Sequence, residues 1–268
     1  MKIKEKNQMK TGICSITFRQ LSVSQIAELV RKAGLDAIEW GGDIHVPHGD
    51  LIAAKETKQI TKDAGLTVSS YGSYFKVLDK NGNAEEFEPV LDTALELGTD
   101  TIRIWAGCQG SDTADATYRN KLAAQCRLIA EQAGEKNVRL AFEFHRNTMT
   151  ETNESTIQFL KDACHPNLYT YWQPIYWRRS MDYRLQGLNA LSKQILNLHV
   201  FHWLYDSEKQ QCEKRPLTEG VDDWQQYLAV ELPAGDHFAL LEFVRDNDPN
   251  QFLTDAKTLT SWVEKFRG

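Results

Sequence analysis

Short apolar runs alternate along the chain with stretches whose apolar residues recur at helical spacing. This alternation predicts βα units, in which a helix returns the chain from each strand to the next parallel strand. Eight units can be counted. The predicted strands are TGICSIT (11–17), LDAIEW (35–40), LTVSSYG (66–72), DTIRIWA (100–106), VRLAFEF (138–144), LYTYWQ (168–173), ILNLHVFHW (195–203) and HFALLEFV (237–244), and the predicted helices lie near 22–33, 50–64, 84–97, 115–135, 151–163, 183–194, 223–231 and 250–266.

The junctions between these elements carry residues that suit helix ends. A glycine that can close the last turn in a left-handed conformation follows three predicted helices, at Gly34, Gly65 and Gly98. Side chains that can cap a helix stand before three others, at Ser22, Asp50 and Thr150, and Pro249 suits a first helical turn. Because no Pro-, Ser- or Gly-rich linker divides the chain, the eight units predict one α/β domain. We expect a single (β/α)8 TIM barrel over 11–268, preceded by a flexible N-terminal tail at 1–10.

Composition narrows the class of partner. The chain has 268 residues, of which 41% are hydrophobic, so it can bury a large core. Its formal net charge of -6 provides no overall positive field for nucleic acid or an anionic membrane. No stretch approaches the ~18 apolar residues of a membrane span, and the basic N-terminus leads into no signal-peptide core. A small-molecule partner is therefore favoured over nucleic acid or a membrane, and the many exposed helices allow a homo-oligomer without requiring one.

Cysteine usage bears on the compartment. The number is odd, no two cysteines are close together, and there is no CxxC motif. This pattern is typical of a reduced, cytoplasmic protein rather than of a disulfide framework, and none of the cysteines resembles a zinc-thiolate ligand. The five are Cys14, Cys108, Cys126, Cys164 and Cys212.

Four predicted strands each carry one metal-competent side chain near the C-terminal end: Glu143, Gln173, His199 and Glu242. A carboxylate flanked by phenylalanines, as in FEF around Glu143, costs several kcal/mol to bury unless a cation or donors compensate it. Taken singly, a buried glutamate can be an internal ion pair and a buried histidine a core residue. Since side chains alternate along strands and barrel sites lie at the C-terminal strand ends, the four are predicted to converge on one mouth.

This donor set suits a metal. Two carboxylates, an imidazole and an amide oxygen can bind one divalent cation, either Mn²⁺, Mg²⁺, Co²⁺ or Zn²⁺, and leave positions open for substrate oxygens. The metal would polarise a substrate carbonyl. Glu143 and Glu242, the predicted catalytic pair, would remove and return the proton next to that carbonyl from opposite sides.

Further residues at the mouth are predicted to contact the substrate: His45, Arg103, Trp105, His145 and Arg245. Loop residues at this face of a barrel usually determine specificity, as expected for His45 in IEWGGDIHVPHGD. The two arginines could anchor a phosphate or carboxylate, but each can also serve as the partner of a neighbouring acid, and Arg103 could simply neutralise Glu143. An aromatic residue such as Trp105 can form an apolar surface for a sugar, or it can simply pack against other residues of the protein.

The chain resembles the sugar phosphate isomerase/epimerase family of the xylose isomerase-like TIM-barrel superfamily, which is related to AP-endonuclease family 2. The landmarks are AGLDAIEWGGDIHVPHGD, LAFEFH, TYWQP, LHVFHW and LLEFV, and the resemblance covers 11–268. It implies one divalent metal held by Glu, Asp, His and Glu on strands five to eight, with both glutamates acting as acid and base. Glu143, His199 and Glu242 match three of these positions. Gln173 replaces the Asp, and its neutral oxygen is a weaker ligand, which lowers the expected metal affinity or changes its selectivity.

The favoured function is therefore a metal-dependent isomerase or epimerase that acts on a small sugar or related hydroxy-ketone through an enediolate. An enolate can also expel a β-hydroxyl group, so a metal-dependent dehydratase or lyase on a polyol ketone is an alternative. A non-catalytic sugar-binding barrel is another, for which Gln173 is the main indication. A DNA-repair endonuclease on the same barrel is disfavoured, because the acidic chain lacks a basic footprint.

Overall fold

The structure, a computed structural model, describes residues 9–177 and 180–267. The strands are β1 (Met9–Cys14), β2 (Ala37–Gly41), β3 (Thr67–Lys76), β4 (Thr101–Trp105), β5 (Arg139–Phe142), β6 (Leu168–Trp172), β7 (Ile195–Val200), β8 (His202–Asp206), β9 (Gln211–Arg215) and β10 (His237–Leu241). The α-helices are α1 (Val23–Ala33), α2 (Leu51–Asp63), α3 (Glu88–Leu97), α4 (Ala116–Glu135), α5 (Asn153–Ala163), α6 (Met181–Leu191), α7 (Val221–Leu228) and α8 (Pro249–Arg267). Short 3-10 helices lie at Ser15–Phe18, Ser192–Gln194, Leu217–Gly220 and Arg245–Asn247.

Eight parallel strands close into a barrel in the spatial order β1-β10-β7-β6-β5-β4-β3-β2. A helix follows each of these strands, so the predicted single (β/α)8 TIM barrel is confirmed. The first strand begins at Met9, two residues before the predicted start of the domain. The rest of the predicted tail, 1–8, lies outside the described residues.

The main departure from the predicted elements is a hairpin after β7. The strand predicted at 195–203 ends at Val200, and the chain then forms the antiparallel pair β8 and β9, which stands apart from the barrel sheet. The alternation in LHVFHW continues without interruption through this break, so the pattern alone does not reveal it. The hairpin places 202–215 beyond the C-terminal end of β7, at the mouth of the barrel.

Helix ends follow the predicted chemistry with one exception. Ser22 and Asp50 cap α1 and α2 by accepting bonds from backbone N–H groups. The prediction for Thr150 is wrong, because Thr152 caps α5 by accepting from the N–H of Ser155. Thr150 instead donates its hydroxyl to the carbonyl oxygen of Glu143, at 2.6 Å. It therefore holds the backbone of a predicted site residue.

Two apolar layers surround the strands. The larger layer lies between strands and helices and includes Trp40, Phe142, Trp172 and Trp224. A smaller cluster fills the barrel: Cys14, Ile16, Ala37, Ala141, Tyr171, Leu196, Phe238 and Leu240, with Tyr74, Tyr169 and Phe243 packed against it. All five cysteines are free thiols. In the described part of the chain, no helix combines the length and apolar character needed to cross a membrane.

The closure of the barrel at β1 gives a testable prediction. A Cβ on Gly12 would stand 2.5 Å from the carbonyl oxygen of Ala37 and 2.8 Å from a methyl carbon of Leu240. Backbone cannot move aside cheaply, so we expect G12A to lower the free energy of unfolding by about 1–3 kcal/mol. The matched control is G134A in α4, where the nearest atom would be 3.5 Å away and alanine favours the helix. Urea denaturation measures both, and a G12A protein as stable as G134A would contradict this account of closure.

Candidate active site

Three side-chain oxygens surround one nitrogen of His199 at the barrel mouth. Its Nδ1 lies 2.9 Å from Oε1 of Gln173, 3.4 Å from Oε2 of Glu242 and 4.0 Å from Oε1 of Glu143. The histidine is fully buried, and the two glutamates are 5% and 3% exposed. The structure thus brings together all four residues that were predicted to bind a metal.

These distances can be compared with a coordination shell. Ligand atoms about 2.1 Å from an octahedral metal lie about 3.0 Å apart when adjacent and about 4.2 Å apart when opposite. The separations from His199 Nδ1 fall in this range before any cation draws the ligands inward. Their donor types also suit a hard or borderline divalent cation. The residues present therefore fit a metal.

Backbone contacts between neighbouring strands set the positions of these side chains. The N–H of Glu143 donates to the carbonyl of Ile104, and that of Glu242 donates to the carbonyl of Val200, each at 3.0 Å. Nε2 of Gln173 donates to the carbonyl of Phe144 at 2.6 Å, which turns the amide oxygen toward His199. The amide thus presents an acceptor, as a metal ligand must.

A buried arginine links two of the acids. Arg103, 1% exposed, donates from Nε to Oε1 of Glu39 at 2.8 Å and from Nη1 to Oε2 of Glu143. Trp105 also donates to Oε2 of Glu143 at 2.7 Å, and Ser70 donates to Oε2 of Glu39 at 2.9 Å. Burial alone would lower the pKa of Arg103, but Glu143 and Glu39 outweigh it and hold that pKa well above its usual value.

Glu39 is the site residue that the predicted set lacked. It lies on β2, 1% exposed, and its Oε1 is 3.6 Å from Nε2 of His199. That nitrogen has no hydrogen-bond partner in the described part of the chain. A carboxylate facing the second ring nitrogen fixes which nitrogen points at a metal. The signal was present in LDAIEW, because the alternation that turns Glu143 inward on its strand also turns Glu39 inward.

The environments of the two predicted catalytic acids push their pKa values apart. Burial raises the pKa of Glu143, but Arg103 and His199 outweigh it and the net pKa is lowered. Burial, with a contribution from the charge of Glu143, raises the pKa of Glu242 to about 7, against the opposing effect of His199. Burial also opposes protonation of His199, but Glu242 and Glu39 raise its pKa overall.

Two of the five residues predicted to contact substrate are occupied by protein partners. Arg103 forms ion pairs with Glu39 and Glu143. The sequence analysis left open that it serves as the partner of a neighbouring acid in this way. His45 has protein partners as well: its Nδ1 lies 2.9 Å from Oγ of Ser15 and its Nε2 lies 3.2 Å from the carbonyl oxygen of Leu21. Both ring nitrogens of His45 and two of the three guanidinium nitrogens of Arg103 are therefore engaged within the protein.

The other three lie in different settings. His145 stacks on Trp105 with ring centroids 4.1 Å apart, and both side chains are half-buried at the mouth beside Glu143. Arg245 lies farther out, exposed and 3.4 Å from Asp246. The substrate contacts of His145 and Trp105 stay predictions, and Arg245 has a carboxylate partner of its own.

The residue after Glu242 departs from the predicted strand alternation. Alternation along the predicted strand 237–244 would turn Phe243 toward the helices together with Leu241, but β10 ends at Leu241 and Phe243 has φ 55°. The left-handed conformation turns its ring into the cluster that fills the barrel. Such a conformation is strained for an aromatic residue, and strain of this kind concentrates at functional sites.

One cysteine also reaches the centre. Ligand atoms of Cys14, His199 and Glu242 lie within 4.8 Å of one another, and all three residues are buried. Because burial and the surrounding carboxylates hold the pKa of the Cys14 thiol well above its usual value, the group is neutral there. Cys14 is therefore a neutral neighbour of the predicted metal ligands. The expectation that none of the cysteines is a zinc-thiolate ligand stays a prediction.

Comparison with known proteins identifies the family. The family profile described as a xylose isomerase-like TIM barrel matches residues 27–262. The chain belongs to this family. The resemblance inferred from the sequence motifs is confirmed at that level.

The relatives include enzymes of more than one reaction type. A 3-dehydroshikimate dehydratase of Bacillus anthracis is 25% identical over 279 residues, which cover 94% of this chain and 97% of the relative. The crystal structure of a probable 3-DHS dehydratase from the same organism matches with TM-score 0.77 and 23% identity, over 94% of this chain and 99% of that one.

More distant structures share the fold. A D-psicose 3-epimerase from Clostridium cellulolyticum H10, solved with D-tagatose, has TM-score 0.68 and 15% identity over 96% of this chain and 99% of that one. A Mycobacterium smegmatis xylose isomerase-like barrel, solved with magnesium, has TM-score 0.74 and 13% identity over 97% of this chain and 98% of that one.

The shared arginine yields a stability prediction. Replacing Arg103 by methionine leaves Glu39 and Glu143 buried without their cation, which we expect to lower the free energy of unfolding by about 3–5 kcal/mol. Adding E39Q to R103M should restore part of the loss. The control is R139M, which breaks the surface pair with Asp100 and should cost less than about 1 kcal/mol. Equal losses for R103M and R139M in chemical denaturation would refute the role of Arg103.

The two acids should differ in the metal-free protein at pH 8. The pKa of Glu242 is raised to about 7 in the folded state, so the unfolded state loses this proton at a lower pH than the folded state does. The free energy of unfolding therefore falls as pH rises toward about 7. E242Q removes the penalty, so we expect it to unfold no more easily than wild type. E143Q deprives Arg103 and Trp105 of a charged acceptor and should lose about 1–3 kcal/mol. Chelator-treated proteins in urea test this, and the reverse order would contradict it.

Proposed function

We propose that this protein is a metal-dependent dehydratase that removes water from a small hydroxy-ketone of the 3-dehydroshikimate type. The main observation that supports this proposal is that side-chain oxygens of Glu143, Gln173 and Glu242 converge on Nδ1 of His199. The choice of dehydration over isomerisation is supported by the 25% identity to a 3-dehydroshikimate dehydratase across nearly the whole of both chains. The sequence had favoured isomerisation and kept dehydration as the alternative.

Charge balance supports the metal. In the described part of the mouth, the buried carboxylates of Glu39, Glu143 and Glu242 face one buried guanidinium, that of Arg103. With all three acids ionised, two negative charges are left over, which a divalent cation would neutralise. Glu143, Gln173, His199 and Glu242 would hold it, and when bound it would act as a Lewis acid on the substrate carbonyl. The ligand types allow Mg²⁺, Mn²⁺, Co²⁺ or Zn²⁺.

The two glutamates take different roles. Glu143 is held ionised by Arg103 and Trp105, so it serves as an anchoring ligand. Among the described residues no arginine or indole donates to Glu242, and its raised pKa retains affinity for a proton, as a base needs. It would take the proton from the carbon next to the ketone, and the electron pair of that bond would then expel the β-hydroxyl group.

The departing hydroxyl group needs a proton to leave as water, and we assign the supply of this proton to His145. Its Nδ1 donates to the carbonyl of Arg146 at 2.7 Å, which leaves Nε2 as the atom that takes up and gives away a proton. The ring is held flat against Trp105, so the exchange would occur at a fixed position. Trp105 also donates a hydrogen bond to Glu143. The proposed acid, His145, is therefore linked through Trp105 to one of the proposed metal ligands.

An isomerase or epimerase is the second candidate, because Glu143 and Glu242 both reach His199 and could exchange protons with one substrate carbon. The same fold occurs in a D-psicose 3-epimerase. The two reactions differ in the fate of the proton. An epimerase returns it to carbon, whereas a dehydratase uses the electron pair to break a C–O bond.

One experiment separates these reactions. The purified protein, stripped with a chelator and reloaded with Mg²⁺, Mn²⁺, Co²⁺ or Zn²⁺ in turn, is incubated in D₂O with 3-dehydroshikimate and with a panel of ketoses. We expect loss of water from 3-dehydroshikimate that depends on the added metal. Deuterium incorporation into a ketose without water loss would instead establish the epimerase, and no reaction with any metal would remove the enzymatic assignment.

The role of Glu242 can be tested in the same assay. We expect E242Q to lower kcat by about 10²–10⁴-fold, the usual contribution of a general base. E264Q, a substitution near the end of α8 and away from the mouth, is the matched control and should retain wild-type kcat. An E242Q enzyme within about threefold of wild type would assign proton removal to another group.

A further inference from the structure

The hairpin of β8 and β9 presents one face to the mouth. Trp203 and Lys214 lie directly opposite each other in the pair, so their side chains share a face. The indole of Trp203 packs against Phe201 at 4.5 Å and Phe243 at 5.8 Å between ring centroids. Nζ of Lys214 lies 5.1 Å from the centroid of the Phe243 ring. The hairpin therefore rests on the residue that follows Glu242.

Lys214 differs from the other cations around it. The neighbours have carboxylate partners: Lys209 pairs with Asp206 at 3.2 Å, Arg215 with Glu213 at 2.8 Å and Arg245 with Asp246 at 3.4 Å. Lys214 donates instead to the neutral Oδ1 of Asn247 at 2.9 Å, and it forms no ion pair with the residues that the structure describes. The lysine is half-buried, so its ammonium is a positive charge without an ionic partner among the described residues, in a partly desolvated place.

The same face holds a second donor without a partner. Nε1 of Trp203 is buried and has no acceptor among residues 9–177 and 180–267. Leaving an N–H group buried and unsatisfied is costly, because its hydrogen bonds to water are lost and not replaced. A ligand oxygen between the hairpin and the mouth would remove this cost.

The charges around Lys214 favour an anion, because the two lining arginines are paired with acids and the lysine is not. Lys214 lines a cavity of ≈ 490 Å³ together with Glu213, Arg215, Arg245 and Asp246. Burial lowers the pKa of Lys214, while the charges of Glu242 and Asp246 oppose that change. The contact of the ammonium with the ring of Phe243, the neighbour of Glu242 in the chain, places it beside the mouth.

We propose that Lys214 and the indole N–H of Trp203 form a subsite for a carboxylate group of the substrate. The identity of the substrate rests on the proposed function, and the subsite narrows it to hydroxy-ketones that bear a carboxylate. The sequence offered Arg103 and Arg245 either as anchors for a phosphate or carboxylate or as partners of neighbouring acids, and both have carboxylate partners. The hairpin supplies the anchor that those residues cannot.

A carboxylate fits this pair of donors better than a phosphate. One ammonium balances a single negative charge, and the ammonium and the indole N–H can each serve one of two oxygens. A phosphate dianion has three acceptor oxygens and needs more charge than one lysine provides. The nearby Glu242 adds negative charge, which disfavours a dianion further.

Binding and kinetics on matched variants test the subsite. K214Q removes the charge, K214R retains it, and K209Q removes an exposed charge from the same hairpin. In the metal-loaded protein, calorimetry measures binding of benzoate, benzamide and inorganic phosphate. We expect benzoate to bind wild type, K214R and K209Q, and to bind K214Q about 10–100-fold more weakly, the loss typical of one charged hydrogen bond. Benzamide, which is uncharged, should show no such difference.

The kinetic arm uses the dehydration assay. K214Q should raise KM for 3-dehydroshikimate about 10–100-fold and change kcat by less than about threefold, because the lysine binds a group remote from the reacting atoms. Benzoate affinity equal in K214Q and K209Q would overturn the proposal, as would tighter binding of phosphate than of benzoate. If no substrate is turned over but benzoate binding still depends on Lys214, the dehydratase assignment fails and the subsite stands.

Discussion

The mouth of this barrel depends on the buried guanidinium of Arg103, which is shared between Glu39 and Glu143. A carboxylate in an apolar interior is stable only with a cation or several donors, and Arg103 supplies both to two strands at once. Glu39 in turn faces Nε2 of His199, and Glu143 lies beside Nδ1 of the same ring. One cation on β4 thereby orients the groups of β2, β5 and β7 about a common point.

Arg103 leaves Glu242 uncompensated, and this asymmetry gives the site its proposed chemistry. Two acids in one site can do different work when their surroundings hold one ionised and leave the other with affinity for a proton. The same asymmetry makes the metal-free centre electrically unbalanced, which a divalent cation would correct. Structure and proposed reaction therefore rest on one arrangement of charges, with Glu143 as ligand and Glu242 as base.

Much of this arrangement could be read from the sequence, for a physical reason. A polar residue inside an apolar strand must face either the barrel interior or a partner, and the alternation of side chains placed Glu143, Gln173, His199 and Glu242 on the inner face. The same rule applies to Glu39 in the predicted strand LDAIEW, but this glutamate was not included in the predicted site. The strand pattern identifies which face of a strand a side chain lies on, but it does not identify the group that the side chain binds. Arg103 and His45 were therefore predicted to contact the substrate, although each binds other residues of the protein.

Features that depend on the path of the backbone could not be predicted from alternation. The break after Val200 and the left-handed Phe243 interrupt strands whose sequence continues the pattern, because three-dimensional packing decides where a strand stops. The cap of α5 shifted from Thr150 to Thr152 for a related reason, since either threonine suits a helix start and only the loop geometry chooses. The hairpin, with Lys214, belongs to this unpredicted part.

The central claim is that Glu143, Gln173, His199 and Glu242 form one cation site. Anomalous diffraction at the manganese edge, from crystals soaked in Mn²⁺ after chelator treatment, tests it most directly. The account predicts one manganese per chain, within about 2.0–2.4 Å of a ligand atom from each of the four residues. A manganese bound elsewhere, a metal held through Cys14 in place of Glu143, or no bound metal with Arg103 still joining Glu39 to Glu143 would contradict it.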